Sequence, residues 1–159
     1  MIEIRLTPAD LMAVGWVASG RRFNAENRGA LHHGNHPRTF ESEFVGVKGE
    51  IAFRRMTGLP WSEESSPFET DFPGYEIKCR NVTSGRDLFM KYTRAQNDPP
   101  ATIYVLAWTL FDHSIVKFVG WDILAEINTN DKLREVNGEL CLPYRELRPI
   151  EELPCLIRC

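Results

Sequence analysis

The chain lacks any run approaching the ~18 apolar residues of a membrane span, and its opening lacks the basic-then-apolar layout of a secretory leader. A cytoplasmic protein with no membrane contact is the expectation. Cysteine is sparse: Cys79, Cys141, Cys155 and Cys159 form no CxxC pair and no zinc-ligand spacing. Cys79 and Cys141 fall in apolar strand patterns, so reduced thiols are expected and a structural zinc site is not. Internal repeats and low-complexity tracts are absent as well. So is a strong charge of either sign: the balance of −3 argues against indiscriminate coating of nucleic acid.

What is present is an ordinary globular composition, 43% hydrophobic and 26% charged over 159 residues. That length predicts a single domain spanning 1–159, long enough to bury a substantial core. Within it a helical part is expected over 7–58, a sheet core over 68–121 and a C-terminal cap over 122–159. The charge is uneven. Residues 14–94 hold 12 Lys and Arg against 10 Asp and Glu, whereas residues 95–159 hold 6 against 10. The basic side of the balance therefore accompanies the first half, which permits a phosphate-backbone ligand there.

The organising stretch is Thr70-Asp71-Phe72-Pro73-Gly74-Tyr75-Glu76-Ile77-Lys78-Cys79-Arg80. Pro73-Gly74 predicts a tight turn, since Pro presets φ and Gly accepts positive φ. After it the residues alternate, with Tyr75, Ile77 and Cys79 on one face and Glu76, Lys78 and Arg80 on the other. Read as a hairpin of strands 68–72 and 75–82, the stretch sets Asp71 close across the turn from Glu76. Facing carboxylates repel unless a cation lies between them. Lys78 supplies one such cation; a hard divalent metal with oxygen ligands is another.

Before this stretch, Thr7-Pro8-Ala9-Asp10 reads as a helix start, with Thr at the N-cap and Pro in the first turn. The helix is predicted over 8–27, with Leu11, Val14 and Ala18 in its apolar stripe. Its second half carries Arg21, Arg22, Asn24, Asn27 and Arg28, placed either to touch phosphates or as a solvated helix end. A loop over 29–37 carries His32, His33 and His36 without the accompanying ligands of a metal site. A second helix is predicted over 39–57, stopped by Gly58 and Pro60. Phe40, Phe44, Val47 and Ile51 form its apolar stripe, and Glu43 and Glu50 lie two turns apart on one face. Gly46 and Gly49, costly inside a helix at about 1 kcal/mol each, suggest close approach to the sheet or a ligand.

After the hairpin, strands are expected at 87–92, 103–111, 114–121 and 139–142, a helical turn at 122–127 and a helix near 144–153. Gln96 lies in a short polar segment between two of these strands.

Asp71, Glu76-Ile77-Lys78 and the upstream helix bearing Glu50 resemble the PD-(D/E)xK, or restriction-endonuclease-like, nuclease superfamily. The resemblance spans residues 40–121 and rests on order and spacing. Thr70 stands where the signature has proline. It implies an α+β fold, a mixed β-sheet flanked by helices around a restriction-endonuclease-like core. It also implies metal-dependent hydrolysis of phosphodiester bonds, with DNA as the expected nucleic acid. Asp71, Glu76 and the Ile77 carbonyl would hold Mg²⁺, or Mn²⁺ in its place, with Glu50 on the same ion, a second ion or a bound water. Glu43 is the reserve for Glu50, and Lys78 would orient the attacking water. Arg21, Arg22, Lys48, Arg80, Lys91 and Arg94 are the cations expected on the nucleic-acid backbone. The layout is similar to small phage and bacterial members, for which double-strand cleavage favours a homodimer. The alternative is a nuclease fold kept without chemistry, as a nucleic-acid-binding, regulatory or inhibitor module.

Overall fold

The computed structural model describes residues 1–27, 32–33, 36–37, 39–61, 70–136 and 139–157, with the side chains of 32–33, 36–37, 91–94 and 157 outside that description. Capping chemistry sets the two long helices. Helix α1 (Pro8–Asn27) starts where Thr7 and Asp10 exchange hydrogen bonds, and it buries Val14, Val17, Ala18 and Ala25. Helix α2 (Phe40–Thr57) opens on a capping box between Thr39 and Ser42 and closes on Gly58 at φ 69°. Both therefore match the predicted bounds to within a residue. Of the stripe expected on α2, Val47 and Ile51 are buried, whereas Phe40 remains exposed.

The main sheet is mixed. Strand β1 (Ile2–Arg5) pairs antiparallel with β7 (Ile115–Ile123), β7 pairs antiparallel with β6 (Ile103–Thr109), and β6 pairs in parallel with β4 (Tyr75–Asn81). Strand β6 is the reason the sheet has two covered faces. Its Val105 and Ala107 join the core beneath α1 and α2, with Val47, Ile51, Phe53 and Phe118. Its Tyr104, Leu106 and Trp108 join a second core with Leu88, Met90, Leu124 and Leu142. Strands with both faces buried read as continuous apolar runs, and Ile103–Thr109 does.

A second, antiparallel sheet of β5 (Leu88–Lys91), β8 (Arg134–Val136) and β9 (Glu139–Leu142) contributes to that second core, together with α3 (Tyr92–Asn97) and α4 (Leu124–Ile127). Two short strands, β2 (His32–His33) and β3 (His36–Pro37), form a small ribbon where a loop is expected.

The C-terminal segment departs from the helix expected near 144–153. It consists of 3-10 turns at Tyr144–Glu146 and Ile150–Glu152, separated by β10 (Arg148–Pro149), which pairs with β7. Pro149 has no N–H to give a helix and biases Arg148 towards extended backbone, so the helix cannot run through. Residues after 122, expected as a cap, thus supply strands to both sheets. Among the described residues no helix is long and apolar enough to cross a membrane.

Candidate active site

The turn at Pro73-Gly74 forms as expected, with Gly74 at φ 79°. Of the strand expected at 68–72, residues 68 and 69 lie outside the described residues; over 70–72 the hairpin is one bridged pair, Phe72 with Tyr75. Phe72 and Tyr75 exchange both backbone hydrogen bonds, at 3.1 and 2.9 Å. The N–H and C=O of Tyr75 thus point away from β6, and pleat geometry turns those of Ile77 the same way. Asp71 uses this free edge, its Oδ2 accepting the Ile77 N–H at 2.8 Å.

The edge explains how carboxylates from two sides of the sheet converge. Ile77 and Cys79 face α2, whose backbone comes so close that a Cβ at Gly49 would lie 2.6 Å from Cys79 Cβ. Gly49 is therefore a contact glycine, as the sequence suggests, whereas a Cβ at Gly46 would meet nothing within 4 Å. Glu50, the next residue, is 5% exposed. Glu76 is 2% exposed on the opposite face of β4, paired with Lys78 Nζ at 2.6 Å. Lys78 is partly exposed, its ammonium 5.7 Å from the Tyr104 ring centroid. Asp71 feels the charge of both glutamates. Burial, then Glu50 and then Glu76 push its carboxyl up to about 8, against the opposing pull of Lys78 and the Ile77 N–H. The structure therefore brings Glu50, Asp71, Glu76 and Lys78 into one electrostatic cluster.

Several cations expected on nucleic acid have other work. Arg21 grips Glu50 with both terminal nitrogens, at 2.6 and 2.7 Å, and Trp61 Nε1 donates to the same carboxylate at 2.8 Å. Burial pulls the Arg21 guanidinium down, and Glu50 more than reverses that. Arg21 is thus a carboxylate partner rather than an open phosphate contact, and its buried Nε has no hydrogen-bond partner among the described residues.

Lys48 is a clear correction. It is fully buried, and its Nζ donates to the carbonyls of Leu110 (2.6 Å), Phe111 (3.2 Å) and His113. It ties α2 to the β6–β7 turn and cannot reach a nucleic acid. Lys48→Met should cost about 2–4 kcal/mol in urea unfolding, because three carbonyls lose their donor. Unchanged stability would remove Lys48 from this structural role.

Arg80 also serves the fold, donating to the Phe89 carbonyl at 3.1 Å and stacking 5.0 Å from its ring. Arg22, by contrast, pairs with Glu26 at 2.9 Å on the exposed side of α1. The Lys91 and Arg94 side chains and those of the three loop histidines lie outside the described residues. Gln96 lines a cleft of about 620 Å³ with Asp98, Asn128 and Leu124, whose walls include none of the three carboxylates. Glu50 acts on Asp71 next after burial, and Glu43 adds to the field on Arg21. Arg21 and Trp61, the partners of Glu50, carry no local signal that joins them to residue 50 in the sequence.

As they stand, no three His, Cys, Asp or Glu side chains among the described residues are arranged as a metal-binding group. The chemistry of the donors nonetheless fits a hard divalent ion: three carboxylates and a free-edge carbonyl, all oxygen, with Glu50 and Glu76 opposing ionisation of Asp71 until a cation is near. No protein-family model, curated protein or solved structure matches the chain.

Proposed function

We propose that this protein is a metal-dependent nuclease that hydrolyses phosphodiester bonds of nucleic acid, with DNA as the first substrate to test. The observation that carries the reading is the crowding of Asp71 by Glu50 and Glu76 beside Lys78. Three carboxylates gathered at a sheet edge destabilise one another, and a divalent cation resolves that conflict. Asp71 and Glu76, with the Ile77 carbonyl, would hold Mg²⁺ or Mn²⁺. The bound ion would supply Lewis acidity, lowering the pKa of a coordinated water and offsetting charge on the phosphoryl group.

The chain's own residues then divide the work. Lys78 pairs with Glu76 at 2.6 Å and would offer a donor to the attacking water and to the oxygens of the pentacovalent phosphorus. Asp71 is oriented by the Ile77 N–H. Arg21 and Trp61 fix Glu50, so its role is to orient a water or second ion rather than to move freely.

The test is cleavage of supercoiled, linear, branched and single-stranded DNA, and of RNA, with Mg²⁺ or Mn²⁺. Wild type should cut at least one of these, Asp71→Ala should cut none, and Lys78→Ala should lose cleavage while keeping most of its metal affinity. Equal loss of metal binding and cleavage in Lys78→Ala would overturn the division of roles. Absence of cutting in every substrate would overturn the nuclease reading.

A second reading has its own observation. Glu50 is fully engaged by Arg21 and Trp61, and Lys48 and Arg80 are spent on the fold. A noncatalytic binding or regulatory module would look like this, and it predicts binding that survives Asp71→Ala.

A further inference from the structure

The outward side of α1 carries large apolar side chains that the fold does not use. Trp16 is 80% exposed, Met12 77% and Phe23 62%, while Val14, Val17 and Ala18 on the opposite side are buried. Scattered exposed apolar residues are ordinary, but a continuous stripe of this kind marks an interaction surface. The stripe has order. Ala9, Ala13, Trp16, Gly20 and Phe23 follow alternating steps of four and three, the spacing of a helix–helix seam, and all are exposed. Along it small and large residues alternate, and a Cβ at Gly20 would meet nothing within 4 Å.

We propose that this stripe is the contact between two copies of the chain, paired through antiparallel α1 helices about a two-fold axis. Three observations select a second copy as the occupant. The first is shape. A two-fold contact requires a self-complementary surface. The antiparallel register that sets Trp16 over Gly20 of the second copy sets Phe23 over Ala13 at the same time, large against small at each step. The second is charge. The seam positions from Ala9 to Phe23 carry none, which gives a phosphate polymer or an anionic bilayer nothing to recognise. The charges bordering them are neutralised within the chain: Asp10 by Arg55, Arg21 by Glu50 and Arg22 by Glu26. Two such faces meet without repulsion. The third is area. Trp16, Met12 and Phe23 together expose roughly 450 Å², and with the small residues the face offers ~600 Å² per copy, which reaches the lower edge of specific interfaces once doubled. This inference rests on α1 alone and not on the reading of the carboxylate site.

Sedimentation equilibrium of the full chain through the micromolar range tests it. Wild type should show a monomer–dimer equilibrium. Trp16→Glu and Gly20→Trp should each be monomeric, with unchanged circular dichroism and melting because both positions face solvent in the monomer. The combined Trp16→Ala/Gly20→Trp variant should dimerise again, since the large and small partners have exchanged places. A monomeric wild type, a dimer that survives either single substitution, or a combined variant that stays monomeric would each overturn the proposal.

Discussion

Asp71→Asn should flatten much of the pH dependence of stability in the metal-free protein. The Asp71 carboxyl, raised from 3.8 to about 8, keeps its proton in the folded state where the unfolded chain has already given it up. Between about pH 4 and pH 8 the folded state therefore binds more protons than the unfolded state, and stability falls as the pH rises. The whole displacement would correspond to roughly 6 kcal/mol. About 2–3 kcal/mol is expected, because Glu50 and Glu76 share the repulsion and the titration belongs to the cluster. The amide oxygen introduced by Asp71→Asn would accept the same Ile77 hydrogen bond without a charge. Urea unfolding at pH 5 and pH 8 in EDTA should find wild type weaker at pH 8, with the variant nearly level. Millimolar Mg²⁺ at pH 8 should restore wild type and leave Asp71→Asn unmoved, since only a ligand of the native state raises stability. Parallel pH profiles for the two proteins would show that the carboxylates do not strain one another.

The second large effect belongs to Gly49. An alanine there would place its Cβ 2.6 Å from Cys79 Cβ and 3.2 Å from Cys79 Sγ. Cβ is fixed to the backbone and no rotamer moves it, so helix α2 and strand β4 must separate. Overpacking of this kind costs about 1–3 kcal/mol, and Gly49→Val should cost more. Glu50 rides on the same turn, so Gly49→Ala should also weaken metal-dependent stabilisation at pH 8. Replacing Cys79 by glycine in the Gly49→Ala background removes the clashing atom and should return that response. Thermal melts with and without Mg²⁺ decide it; a Gly49→Ala protein as stable as wild type would mean that the helix and strand have slack.

Much of the fold was legible because its signals are local. Gly58 with Pro60 marks the end of α2, and the apolar, β-prone run at 103–111 reads as a strand. Pro149 stood in plain view against the helix expected near 144–153. What could not be read was anything settled by distant partners. The parallel pairing of β4 with β6 has no local mark, and neither does the second sheet. In the site, Asp71, Glu76 and Lys78 were legible from turn chemistry and alternation. Arg21 was not, because the carboxylate it holds is 29 residues away. Lys48 reads as a surface cation on α2 until the carbonyls of the β6–β7 turn close over it. The exposed stripe on α1 was hidden by the buried one: Val14 and Ala18 account for the helix as a core element and leave Trp16 unexplained.

The strand order has a consequence for synthesis. Strand β1 leaves the ribosome well before its partner, β7, which ends at Ile123. Strand β4 likewise waits for β6, which begins at Ile103. The two ends of the main sheet are thus set by pairings that close only after most of the chain exists, a high contact order that slows folding. During that interval the emerging α1 and α2 have only each other to cover their apolar faces, and Glu50, Asp71 and Glu76 have no common strand edge to assemble on. The nascent protein should accordingly depend on shielding by chaperones until β6 and β7 have been made.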